Sequence, residues 1–187
     1  MSCMTSTETT SFSLPFQAQW SDMDQNGHMR TTAYLAAAEN SRMQYFAARG
    51  FSSQEFTRLA IGPVVQTDEI HYRSELRLHD TAKLEIQLAG ISPNGARFCL
   101  RNSFVRGDGK VVCNVTSLAG WLDLGRRRLT CPPPPLVEIL QALERTDDFV
   151  ELTSPITPGS AVQAATTSYG PGSKMAVLSN PQEGVLL

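Results

Sequence analysis

Between Trp20 and Tyr34 the chain reads Trp20-Ser-Asp22-Met-Asp24-Gln-Asn26-Gly27-His28-Met-Arg30-Thr31-Thr-Ala-Tyr34, bringing two carboxylates, an imidazole and a guanidinium together. A carboxylate with an ordinary pKa near 3.9 is ionised at neutral pH. It can attack an electrophilic carbonyl, or position a water and take its proton. The charge that then builds on the carbonyl oxygen needs a donor, and the first N–H groups of a helix have no acceptor within it. Two other readings use the same residues. Asp22-x-Asp24-x-Asn26-Gly27 matches the opening of a calcium loop, but the closing bidentate Glu falls on Ala33, and Pro15 argues against an entering helix. Asp, Asn and Gly also build turns, and a carboxylate ahead of a helix is stabilised by its dipole.

The flanking elements follow from periodicity. Leu14, Phe16, Ala18 and Trp20 alternate imperfectly, which predicts a strand over about Ser13–Trp20. A helix is expected from about Thr32 to Arg49, stopped at Gly50. Its alanines (Ala33, Ala36, Ala37, Ala38, Ala47, Ala48) are interspersed with Tyr34, Leu35, Met43, Tyr45 and Phe46. Small and large apolar residues on most faces predict a helix wrapped closely by other structure. Ser52 and Glu55 have capping-box spacing, so a short helix is expected over Ser53–Leu59. From Val64 to Leu124 the pattern is strands, with turns at Pro93-Asn94-Gly95 and Gly107-Asp108-Gly109 implying an antiparallel meander. One long helix with such a sheet is an α+β domain.

The 187 residues predict one domain with length to spare. We expect an N-terminal arm over 1–11, the domain over 12–131, a Pro-rich connection with a short helix over 132–152, and a Ser/Pro/Gly-rich tail over 153–187 that is disordered. Sixteen Lys and Arg against 18 Asp and Glu give no basic excess for nucleic acid. No run approaches the roughly 18 apolar residues of a membrane helix, and the N-terminus lacks the pattern of a signal peptide. The cysteines (Cys3, Cys99, Cys113, Cys131) are too dispersed for a metal site. A cytoplasmic protein without metal, cofactor, membrane or nucleic-acid partner is expected.

The spacing D-x-D-x-x-G-H-x-x-x-x-x-Y, followed by Glu39-x-x-Arg42 and Gly50, resembles the hot-dog thioesterases related to 4-hydroxybenzoyl-CoA thioesterase. There the pattern runs D-T-D-x-x-G-H-V-N-N-x-x-Y, then E-x-x-R and a glycine. Ile70-His-Tyr72-Arg-Ser-Glu75-Leu-Arg-Leu-His-Asp80 resembles the family's second strand and following turn, and the likeness covers about Ser13 to Leu129. The resemblance implies a hot-dog fold, an antiparallel sheet curled around one long central helix. It implies a homodimer or tetramer with sites for an acyl-CoA or acyl-carrier-protein thioester at the subunit interface. It assigns Asp24 as nucleophile or general base and the Thr31 backbone N–H as the donor that polarises the thioester carbonyl.

Around those two, Asp22 is expected to position the loop, His28 to orient Asp24 or stabilise charge or else to stand as a hydrogen-bonded structural histidine, and Tyr34 to line the core or pocket. Glu39 and Arg42 have helix spacing and are expected to form an internal pair or to line the subunit interface. Arg126 and Arg127 are candidate contacts for coenzyme A phosphates, since guanidinium suits phosphate geometry. One departure stands out: Arg30-Thr31 replaces the family's Asn-Asn, and Arg30 is a candidate either to stabilise Asp24 or to bind an acidic group on the substrate. That substitution favours the alternative reading, a hot-dog protein that binds an acyl thioester without cleaving it.

Overall fold

The computed structural model describes residues 11–156. The expected arm lies outside them except for Ser11, as does the expected tail beyond Ile156. The elements are β1 (Phe12–Gln17), a short 3-10 turn (Trp20–Asp22), α1 (Thr31–Ala48), α2 (Ser53–Leu59), β2 (Ile61–Tyr72), β3 (Thr81–Ile91), β4 (Arg97–Val105), β5 (Val111–Asp123), β6 (Arg128–Thr130), α3 (Pro134–Gln141) and β7 (Arg145–Glu151). The sheet runs β1-β3-β4-β5-β2, and each of these neighbours is antiparallel. β6 extends the sheet beside the end of β5. Both expected turns join consecutive strands of the β3–β4–β5 meander.

α1 ends in a Schellman motif: Phe51 N–H donates to Phe46 O and Gly50 N–H to Ala47 O, with Gly50 at φ +90°. Its buried residues, Ala33, Tyr34, Ala38, Ser41, Arg42, Tyr45 and Phe46, form one stripe at helical spacing. The expectation of a helix wrapped on most faces is therefore corrected. Ala36, Ala47 and Ala48 are exposed in the single chain, and there they serve helix propensity, not close packing.

Two clusters fill the space between α1 and the sheet. One centres on Trp121, Phe46, Phe56, Phe98, Leu88 and Leu100. The other, under the Asp24 loop, holds Met29, Tyr34, Leu76, Leu84, Phe104 and Val112.

The segment after Cys131 joins the first cluster. Leu136, Leu140 and Leu143 are fully buried there, and Tyr45 Oη donates to the Ile139 carbonyl. β7, which the sequence pattern does not announce, pairs parallel with β3 at Leu88, Gly90 and Ile91, beyond the stretch that β1 covers. Gly90 permits that approach: a Cβ there would lie 2.8 Å from Val150 O. Arg101 on β4 grips Asp148 on β7 through two hydrogen bonds of 2.8 and 2.9 Å.

The Arg101 guanidinium holds the Asp148 carboxyl down at about 2, against 3.8 for a free aspartate. A depressed carboxylate pKa stabilises the fold above the free value, and the contribution is lost as pH falls from about 4 through about 2. Asp148 is well exposed, so the effect is small and salt-sensitive. Melting curves across that acid range should fall less steeply for Asp148→Asn than for the wild type. Identical slopes would remove this pair from the acid response.

Candidate active site

The Asp24 segment is a small hairpin ahead of α1. Met23 bridges Met29, Asp24 N–H donates to His28 O at 2.9 Å, and Arg30 N–H donates to Asp22 O at 2.8 Å. Gly27 takes φ +78° at its tip, a conformation that favours glycine. The hairpin is held from the other side by the β2–β3 loop, where Met29 N–H donates to Leu76 O at 2.7 Å and His28 bridges Arg77. Buried Met29 and Leu76 fix this contact in the core. Asp22 positions the start of the segment: its Oδ2 accepts from Gln19 N–H at 2.8 Å.

Asp24 projects from this frame with its side chain 29% exposed. Oδ1 accepts from Asn26 N–H at 2.8 Å, and the His28 ring Nδ1 lies 3.5 Å from Oδ2. Partial desolvation pushes its pKa up, but the hydrogen bonds from the Asn26 and His28 backbones and the nearby His28 ring outweigh that. The carboxyl sits below its ordinary range. Asp24 is thus an ionised carboxylate on a braced turn.

α1 begins at Thr31. Its N-cap, Arg30, is extended (φ −67°, ψ 153°) and supplies no side-chain cap. The Thr31 N–H has no acceptor among the described residues. Arg30 is exposed and forms no ion pair with Asp24. Tyr34 is buried, its Oη accepting from Leu76 N–H at 3.3 Å, so it braces the β2–β3 loop from below. Tyr72, at the end of β2, donates to Thr31 O at 3.4 Å and packs edge-on against Tyr34 at 5.5 Å. It is 47% exposed beside the helix start, 41 positions away in sequence, and no local pattern marks it as part of the site.

Other expected residues lie elsewhere. Arg126 sits on the β5–β6 turn, paired with Asp123 at 3.0 Å, and Arg127 follows it with φ +53°. Asp123 pairs with Ile61, at the opposite end of β2 from Tyr72. At about 3.3 Å per residue, that turn is about 35 Å along the strand from Thr31 in the same chain. Glu39 and Arg42 do not pair: Glu39 is exposed, and Arg42 donates its Nε to Asn102 Oδ1 at 2.6 Å.

Among the described residues no group of three or more His, Cys, Asp or Glu is placed to hold a metal ion, and no helix is long and apolar enough to cross a membrane. Burial pushes the Cys113 thiol up to about 12, which removes it as a nucleophile at neutral pH.

A family model described as the thioesterase-like superfamily matches residues 18–143. It covers the Asp24 hairpin, α1, α2, the four strands of the path beyond β1, β6 and α3. No curated protein matches the chain. Among solved structures, hypothetical protein SAV2348 from Staphylococcus aureus, in complex with CoA, is 17% identical with a TM-score of 0.67, covering 74% of this chain and 89% of that one. Slr0204, a 1,4-dihydroxy-2-naphthoyl-CoA thioesterase from Synechocystis, is 13% identical at TM-score 0.63, over 71% and 96%. A DHNA-CoA thioesterase from Staphylococcus aureus is 14% identical at TM-score 0.63, over 70% and 89%. At these identities the likeness shows the fold, and that fold is the hot-dog. The family match is to the superfamily and does not single out its 4-hydroxybenzoyl-CoA branch.

Proposed function

The chain belongs to the thioesterase-like superfamily, and from that premise we propose that it hydrolyses an acyl-CoA thioester to free acid and CoA. Asp24 is the nucleophile or general base and the Thr31 backbone N–H the oxyanion donor. The observation that carries this reading is the pairing of an ionised carboxylate on a braced hairpin with a helix start whose first N–H is unclaimed. As nucleophile, Asp24 attacks the thioester carbonyl, CoA leaves as the thiolate and takes up a proton, and water then cleaves the acyl-aspartyl anhydride. As base, Asp24 takes a proton from the attacking water, and the tetrahedral intermediate collapses to the same products. Both routes place negative charge on the carbonyl oxygen, where a fixed N–H lowers the barrier. The CoA bound in the Staphylococcus aureus relative supports CoA as the thiol.

We also infer a homodimer paired along β2, whose outer edge has no neighbouring strand among the described residues and presents Val65 and Tyr72. Antiparallel pairing there brings the partner's β5–β6 turn to the Thr31 end of this chain. Arg126 and Arg127 can then reach coenzyme A phosphates across the interface. Light scattering tests the assembly: a fully active strict monomer would overturn it.

A panel of acyl-CoAs assayed for thiol release tests the activity. Turnover supports hydrolysis. Thermal stabilisation by acyl-CoA without turnover on any member would favour the binding-only reading.

The donor has its own test. Thr31→Pro deletes the N–H at the first helical position, where proline is tolerated, and Arg30 already has the extended backbone that a residue before proline prefers. Helix content should be unchanged and kcat should fall about a hundredfold or more, the loss typical of one oxyanion donor. Unchanged kcat in a folded variant would move the oxyanion site away from Thr31.

A further inference from the structure

Arg30 sits where folding alone gives no reason for a cation. It is the N-cap of α1, and the extended backbone of an N-cap residue turns its side chain back over the first N–H groups of the helix. A serine or aspartate oxygen there would accept from them. A guanidinium has donors only, so it cannot cap, and its charge lies at the positive end of the helix dipole. The first turn of α1 carries no acidic residue to offset it. Arg30 is exposed, and its side chain enters no hydrogen bond or ion pair among the described residues. Asp24 takes its contacts from Asn26 and His28 instead. Of the two roles open to Arg30 in the sequence, support of Asp24 therefore falls away. Local rules of this kind are broken chiefly at functional positions.

Placement selects what Arg30 meets. Its Cα lies about 3.8 Å from that of Thr31, whose N–H holds the thioester carbonyl in the proposed reaction. The whole pantetheine arm separates that carbonyl from the nearest phosphate of CoA, so a phosphate is out of reach. The anion within reach is on the acyl side, a carboxylate a few methylenes from the thioester. Ionised Asp24 would repel such a group unless a cation stood beside it. An accessible guanidinium supplies that cation and grips a carboxylate through two parallel hydrogen bonds.

We propose that Arg30 pairs with a carboxylate on the substrate's acyl group, selecting the half-thioester of a short dicarboxylic acid over a plain acyl-CoA of similar length. The inference rests on the thioesterase reading for the position of the carbonyl. Arg30 determines specificity in it and takes no part in breaking the thioester bond.

The test is calorimetry on the full-length wild type with dethia analogues of glutaryl-CoA and hexanoyl-CoA, in which a methylene replaces the sulfur so that neither is hydrolysed. The glutaryl analogue should bind about tenfold more tightly, the gain from one charge-assisted pair. The sebacoyl analogue carries its carboxylate well past Arg30 and should show no such gain over its decanoyl counterpart. Arg30→Ser should bring the glutaryl preference to about one and raise the melting temperature, because serine caps the helix that arginine leaves open. Arg30→Lys, which keeps the charge but loses the fork, should retain part of the preference. Equal binding of the glutaryl and hexanoyl analogues by the wild type would overturn the proposal, as would an equal gain for sebacoyl or a preference that survives Arg30→Ser. A lower melting temperature in Arg30→Ser would make Arg30 a structural residue and overturn it too. A glutaryl preference in a protein that hydrolyses no acyl-CoA would refute hydrolysis and leave this site standing, whereas turnover without the preference would refute the site alone.

Discussion

Asp24→Asn should abolish thioester hydrolysis while leaving the fold intact. Asparagine has the same shape and keeps an Oδ1 to accept from Asn26 N–H, so the turn at 2.8 Å survives and the melting temperature should move little. The charge is lost, and with it both routes to products. A neutral amide neither attacks a thioester nor takes a proton from water. A loss of about a thousandfold in kcat, about 4 kcal/mol of barrier, is expected. Residual activity within a few-fold of wild type would take Asp24 out of the mechanism. The pH profile is a second readout. Because hydrogen bonds from Asn26 and His28 hold the carboxyl below its ordinary range, activity should stay level well into mild acid. It should fall only as Asp24 protonates below the pH at which a free aspartate would. In a single turnover in heavy-oxygen water, label found in Asp24 itself would establish attack by Asp24, since the base route puts all of the label in the acid product.

The residues needed for that experiment were legible because their signals are local. Asp24, Gly27, His28 and the start of α1 lie within a few residues, and each states its role in turn or helix chemistry. The β3–β4–β5 meander was legible for the same reason, through alternation closed by Pro93-Asn94-Gly95 and Gly107-Asp108-Gly109. Long-range contacts left no such mark. Tyr72 meets Thr31 across 41 positions, and Arg42 meets Asn102 across 60. At Arg42 the helical spacing suggested Glu39 as partner, but the register of β4 beneath the helix provided a buried acceptor instead. β7 was hidden because Arg145-Thr-Asp-Asp-Phe-Val-Glu151 is largely charged and has only two inward-facing positions, Thr146 and Phe149. Its pairing depends on the missing side chain at Gly90, more than fifty residues earlier. The alanines of α1 misled differently: alanine favours helix whether or not it is buried, so composition alone did not reveal which faces were covered.

The second large effect concerns the segment after the proline run. Leu136 and Leu140 are one helical turn apart on α3, both with no exposed surface, and both in the cluster around Trp121 and Phe46. Replacing either with alanine removes buried methyl groups and leaves a cavity, at a typical cost of about 2–5 kcal/mol. The two sites share neighbours, so their losses will not simply add. The double change Leu136→Ala with Leu140→Ala should still cost about 4–8 kcal/mol, comparable to the whole stability of an ordinary domain. Urea denaturation should show the native population largely lost, with acyl-CoA hydrolysis lost along with it. The physical reason is packing: α3 and the residues just after it bring Leu136, Leu140 and Leu143 into the cluster that holds Trp121, and Tyr45 fastens α1 to α3 through the Ile139 carbonyl. An attached but dispensable segment would behave otherwise, with a urea midpoint close to wild type in the double variant. That result would separate α3 and β7 from the cooperative unit that holds α1, and with it Thr31, against the sheet.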